Sequence, residues 1–324
     1  MPLTSREEEP ALGLWHGLEG STARLINHSE NETFRIDAVN GQRFTLRIHR
    51  PGYQNSASIE SELAWLTALR GSTDLLIPEP VTGRNGQWLQ CFTTEAGAER
   101  TGVLFRFIEG QEPSPQDNLE DLFVTLGTYA AKLHRHASGW APPAGFKRQV
   151  WKASTILDPD GLWGDWRQAP GVNQANRPVL ERLTETLWQR LADFGTGADR
   201  YGLIHADMRL GNLLVDGESV WLIDFDDCGF CWFAYDFAAA ISFHETSPAI
   251  PSLRSAWVRG YRTARELGDA DIAIIDSMVM LRRMALLAWI GTHGETGLAQ
   301  AHAQGFADDT AGLAQRYLHG PIWA

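Results

Sequence analysis

Residues 201–226 limit most severely what this chain can fold into. Three short apolar runs, residues 201–204, 213–215 and 220–223, read as buried strands. The last two are joined at Asp216-Gly217, a dipeptide suited to a tight hairpin turn. Polar side chains sit on the connections. Asp207 and Asn212 fall on the loop after the first strand, and Asp224 follows the third. A strand that returns in this way brings oxygens distant in sequence to one point. Magnesium wants hard oxygen ligands, with phosphate and water completing its shell. Phosphoryl transfer from ATP needs little more: one carboxylate to orient the acceptor hydroxyl, then an amide and a carboxylate to hold the metal against the phosphates. Asn212 and Asp224 are therefore the expected metal ligands, and Asp207 is expected at the acceptor hydroxyl. Arg209 adds a fixed positive charge for the transferring group. Asp226 is a further candidate for metal or substrate, and His205 is read as fixing the loop. A lone Asp-x4-Asn says little, because Asp and Asn are ordinary turn formers. The specificity lies in the full order, His-x-Asp-x4-Asn between strands and then Ile-Asp-Phe-Asp.

That order resembles the aminoglycoside phosphotransferase, choline kinase and homoserine kinase superfamily, whose members share the protein-kinase-like fold. The usual form of its loop is His-Gly-Asp-x-His-x-x-Asn. Here Ala206 stands at the glycine, and Arg209 where that family often has His and protein kinases have Lys. The resemblance implies a two-lobed α+β chain. Residues 1–108 would form a small nucleotide-covering lobe of five antiparallel strands and one helix, and residues 109–324 a larger, mainly helical lobe. A hinge is expected at about residues 107–111, where Phe107 and Ile108 would offer backbone groups to the adenine edge. The resemblance also implies that Asp236 supports the catalytic loop by accepting backbone hydrogen bonds.

The small lobe can be traced in the pattern. Strands are expected at residues 22–26, 33–38, 42–49, 87–93 and 102–108, with Asn40-Gly41 turning one hairpin. A helix is expected at residues 57–69, on the stripe Ile59, Leu63, Leu66 and Leu69. On the third strand Arg47 takes the place of the kinase lysine. It is expected to pair with nucleotide phosphates and with an acid on the following helix, Glu62, with Glu60 as the competitor. The connection around residues 27–32 lacks glycines, so backbone donors, Ser29 and Asn31 are the candidates to meet phosphate.

Beyond the hinge, helices are expected at residues 119–136, 177–194, 252–267, 269–291 and 298–318. His134 and His136 read as cations at a helix end. The tryptophan-rich stretch 137–176 reads as a long loop whose Trp residues anchor it to the core, with a part in the acceptor wall as the alternative. Asp227, Trp232 and Glu245 are candidate contacts for an ammonium group, by charge and by ring face.

Composition narrows the partners. The chain has 324 residues, 44% of them apolar, which suits two lobes. With 40 acidic and 28 basic residues the net charge is -12, and no basic run marks a nucleic-acid partner. No apolar run is long enough to span a membrane. Three cysteines make no disulfide framework, and Cys228-x-x-Cys231 lacks a second pair for zinc. The expectation is a cytoplasmic, ATP- and magnesium-dependent kinase of a small-molecule hydroxyl, an amino alcohol or a homoserine-like compound. A protein kinase of the bacterial stress-response type and a nucleotide-binding module without activity are the alternatives.

Overall fold

In the computed structural model, which describes residues 9–28 and 31–323, the chain is mixed α and β and divides into two units. The smaller takes the described residues through Gln111 together with residues 141–148 and 214–226. The larger takes residues 112–140, 149–213 and 227 onward. Ser29 lies outside the described residues.

The smaller unit rests on an antiparallel sheet of six strands. These are β1 (Thr22–His28), β2 (Asn31–Asp37), β3 (Arg43–His49), β4 (Pro80–Val81), β5 (Gln90–Thr93) and β6 (Glu99–Arg106). Their order is β1-β2-β3-β6-β4, with β5 also on β6. Five strands were expected. The addition, β4, is two residues opened by a proline, too short to show any alternation. Along β3 the two faces separate with period two. Phe44, Leu46 and Ile48 enter a core with Phe34, Ile36 and Leu104, closed by Trp15 and by residues of helix α1 (Glu9–Leu12). Arg47 faces helix α2 (Ser56–Ser72), which buries Ile59, Leu63, Leu66 and Leu69. Asn55 caps α2, its side chain accepting from Ser58 N at 2.9 Å.

A hairpin of β9 (Leu213–Asp216) and β10 (Ser219–Leu222) joins this unit from its second residue onward. Gln111 and Val215 exchange backbone hydrogen bonds of 3.0 and 2.9 Å, and Leu222 N donates to Leu76 O at 3.0 Å. Glycine is needed at position 110: its φ is +150, and a Cβ there would stand 3.0 Å from Leu214 Cβ.

The larger unit holds α3 (Glu120–Gly139), α4 (Ala153–Leu157), α5 (Arg177–Phe194), α6 (Tyr235–Ala240), α7 (Ile250–Tyr261), α8 (Asp269–Ala273), α9 (Ile275–Thr292), α10 (Gly297–Ala303) and α11 (Phe306–His319). Three short strands, β7 (Gln149–Val150), β11 (Gly229–Trp232) and β8 (Tyr201–Ile204), pair in that order. The expected helix at 177–194 matches α5, whereas that at 298–318 is two helices, broken at Gly305 with φ of +80. The expected helix at 269–291 also divides, into α8 and α9. α9 is buried on every side, its arginines Arg282 and Arg283 included. Within the stretch 137–176, Trp151, Trp163 and Trp166 are buried. Cys228, just before β11, and Cys231, within it, are buried free thiols. Among the described residues no helix is long and apolar enough to cross a membrane.

α3 and α7 cross with almost no gap. A Cβ on Gly127 would lie 2.0 Å from Trp257 O, and one on Gly260 would lie 1.9 Å from Val124 O. The crossing sets His134 of α3 beside Tyr261 of α7, 3.0 Å from Nδ1 to the hydroxyl. His134 is wholly buried, and α3 runs on to Gly139. It is therefore an internal hydrogen-bonding residue, not the helix-end cation expected. Replacing Gly127 or Gly260 by Ala must push the helices apart, at a cost of about 3 kcal/mol or more. Urea denaturation checks this, and a loss under about 1 kcal/mol would show that the crossing tolerates a methyl group.

Candidate active site

In the larger unit, the loop after β8 is held by one carboxylate. Asp236, near the start of α6 and wholly buried, accepts from Ala206 N at 2.8 Å and from His205 N at 3.3 Å. Its Oδ2 is also 2.9 Å from His134 Nε2. Burial pushes the His134 imidazole below its ordinary pKa, against the opposing pull of Asp236. His205 Nδ1 accepts from Asp207 N at 3.2 Å, which fixes the ring's tautomer because a backbone amide can only donate. The chain turns at Ala206, whose φ of +66 lies in the left-handed region. Glycine takes that conformation freely and alanine does not.

The turn presents Asp207 at the centre of a polar cluster. Its Oδ2 accepts from Asn212 Nδ2 at 2.6 Å and from Arg209 Nε at 3.3 Å. Its Oδ1 accepts from Arg282 Nη2 at 2.5 Å. Asn212 Nδ2 also donates to Asp207 O at 2.8 Å, which leaves the amide oxygen as the atom suited to a cation. Burial works to raise the Asp207 pKa, but Arg282 and then Arg209 outweigh it and hold the carboxyl below its usual range. The Arg209 guanidinium lies over Gly211, where a Cβ would stand 2.2 Å from Nη1.

Arg282 was not foreseen as a site residue. It is 3% exposed, lies over the rings of Trp163 and Tyr235 at 5.5 and 5.9 Å, and donates from Nε to Ser242 Oγ at 3.0 Å. Its sequence signal was present but faint: an Arg-Arg pair inside an otherwise apolar helix. Arg283, its neighbour, pairs with Glu245 at 2.8 Å, and Glu245 is wholly buried. Trp232 is buried in β11 and donates its indole N–H to Gly195 O at 2.7 Å. These two candidates for an ammonium group are thus committed to internal partners. Asp227 remains half-buried.

The smaller unit carries a second cluster. Arg47 Nη2 donates to both oxygens of Glu62, at 2.9 and 2.7 Å, and both residues are buried. Glu60 is exposed, so Glu62 is the partner. Asp224 Oδ1 stands 3.7 Å from Arg47 Nη1, and its φ is +62. Asp226 is buried and accepts from Asn31 Nδ2 at 2.9 Å. Burial favours its neutral form, yet Arg47 and Arg148 help hold it below the ordinary carboxyl range. His49, beside them, is driven to about 3 by burial and then by Arg47, and so stays neutral. Phe107 and Ile108 line a cleft with Arg70, Glu79, Arg106 and Trp221.

The left-handed Ala206 gives a direct check on the loop. Ala206→Gly should raise stability by up to about 1 kcal/mol, the relief of strain exceeding the entropy added to the unfolded chain. A measured loss beyond about 1 kcal/mol in urea denaturation would mean that the methyl group contributes more by packing than it costs in strain.

The sequence profile of the phosphotransferase enzyme family matches residues 22–270. The solved structure of a microcompartment-associated aminopropanol kinase superposes with a TM-score of 0.88 at 40% identity, covering 97% of each chain. An amicoumacin kinase solved with AMP-PNP, Ca2+ and Ami superposes with a TM-score of 0.74 at 23% identity, over 96% of this chain and 92% of that one. Homoserine kinase of Gluconobacter oxydans (strain 621H) is 28% identical over 245 residues, 71% of this chain and 72% of its own. The chain belongs to the phosphotransferase enzyme family and is an ATP-dependent kinase of a small-molecule hydroxyl group.

Proposed function

We propose that this kinase moves the γ-phosphoryl group of ATP, with magnesium, to the hydroxyl of a short amino alcohol. The observation that carries the reading is the Asp207 carboxylate, gripped at once by Asn212, Arg209 and Arg282. A charged oxygen so held suits orientation of a hydroxyl for in-line attack. Arg209, partly exposed, then offers positive charge as the phosphoryl group transfers.

Asn212 and Asp224 are our metal ligands. Their donors are an amide oxygen and a carboxylate, which fit a hard divalent cation. Among the described residues no group of three or more His, Cys, Asp or Glu offers another metal site. When bound, the cation would neutralise charge on the nucleotide phosphates. Arg47, kept protonated by Glu62, Asp226 and Asp224 against the cost of burial, holds the phosphates in this reading. Asn31 acts through Asp226, and Phe107 and Ile108 receive the base. Residues 107–111 serve as the hinge between a nucleotide lobe and a catalytic lobe.

The aminopropanol kinase relative at 40% identity supports this acceptor class. Asp227 is our candidate for the ammonium group. The homoserine kinase relative keeps an amino-acid hydroxyl as the second acceptor to test. A cytoplasmic setting goes with ATP as donor and with three free thiols.

A panel of short amino alcohols, homoserine and generic protein substrates, followed by ADP release with magnesium, separates the readings. An amino alcohol should give the fastest turnover. Turnover with proteins alone would sink the proposal. Asp207→Asn should keep nucleotide binding and lower kcat by about 10²-fold or more, because an amide N–H facing the surrounding donors loses the held geometry; an unchanged kcat removes Asp207 from the chemistry. Asp224→Ala should weaken binding of the magnesium nucleotide, read by calorimetry. Parental affinity in that variant would mean that the metal ligands are elsewhere.

A further inference from the structure

We infer that Arg148 is a positioning residue for the nucleotide and metal cluster of the smaller unit, a brace between α2 and the loop that carries Asp224 and Asp226. The inference rests on the proposed roles of Arg47, Glu62 and Asp224. Arg148 reaches this unit on residues 141–148, a short return of the chain after α3. Its side chain is 7% exposed. Nη1 donates to Ser58 O at 2.9 Å and to Ser58 Oγ at 3.0 Å, while Nη2 donates to Asp226 O. The adjoining Lys147 N donates to Ser61 Oγ at 2.8 Å.

The points of attachment decide what such a brace does. Ser58 lies four residues before Glu62, on the same face of α2 and one turn below it. Asp226 lies two residues after Asp224. One planar guanidinium, with donors in a fixed fork, therefore sets the distance from the Glu62 turn to the metal loop. Other contacts complete the frame. Phe225 packs edge-on against Trp65 of α2, with ring centroids 5.8 Å apart. Gln54 Nε2 donates to Asp226 O at 3.2 Å, and Asn31 ties the Asp226 carboxylate to β2. Arg47, held by Glu62 and 3.7 Å from Asp224, is the group this frame aims.

Arg148 is far in sequence from everything it joins, so no local pattern marks it. A filler of the core would need only bulk. A brace needs a fork reaching acceptors on two residues, and that difference is measurable. Arg148→Ala and Arg148→Lys are compared with the parent, using AMP-PNP and magnesium in calorimetry and steady-state kinetics for ATP and acceptor separately. Arg148→Ala should weaken AMP-PNP binding and raise the KM for ATP about tenfold or more, with the acceptor KM within about twofold. Arg148→Lys, which keeps the charge but has one nitrogen for the acceptors on both Ser58 and Asp226, should fall between. Affinity within about twofold of the parent in both variants, or an acceptor KM that rises as much as the ATP KM, overturns the inference. If Arg148→Ala does not fold, the same readouts on Arg148→Lys decide. A parent that binds no magnesium AMP-PNP would instead overturn the proposed roles of Arg47, Glu62 and Asp224, and the brace with them.

Discussion

The loop of the larger unit that carries Asp207 depends on one buried carboxylate, Asp236. A charge with no exposure is costly unless hydrogen bonds replace its water. Here two successive backbone amides, His205 N and Ala206 N, and the ring of His134 replace it. The exchange works in both directions. The amides of a loop that turns through a left-handed alanine would themselves be orphaned without Asp236. The close α3–α7 crossing brings His134 and Tyr261 into line, so the helical packing and the loop geometry are one arrangement. Removing the carboxylate would cost more than a hydrogen bond, because it would free the backbone that aims Asp207.

The local parts of this design were legible in the sequence. The 201–226 pattern names a strand, a loop and a hairpin because spacing and turn chemistry are local. α5 could be read to the residue because its apolar stripe is regular and its flanks are polar. Arg47 could be matched to an acid on α2 because a strand and the helix after it are neighbours in the chain, though the choice of Glu62 over Glu60 needed the fold. The missed features join distant segments. Arg282 reaches Asp207 from 75 residues away, and Arg148 reaches Asp226 from 78. A buried arginine beside leucines looks, in one sequence, like an interruption of the pattern; only the fold shows the partner that makes its burial affordable. Trp232 and Glu245 misled for the same reason. Their residue types suit an ammonium ion, but the end of α5 and α9 had already supplied them with Gly195 and Arg283.

The partners of Asp207 also bear on how it works. A strong base must gain from taking a proton, and Arg282 and Arg209 together stabilise the form without one. In a loose phosphoryl-transfer transition state the attacking hydroxyl has formed little of its new bond, so it remains weakly acidic until late. A strong base would then contribute little. Orientation matters throughout, and it is what two arginines and an asparagine around one carboxylate provide. In this account the fixed angle of the carboxylate, more than its basicity, is what the loop, Asp236 and α9 are arranged to maintain.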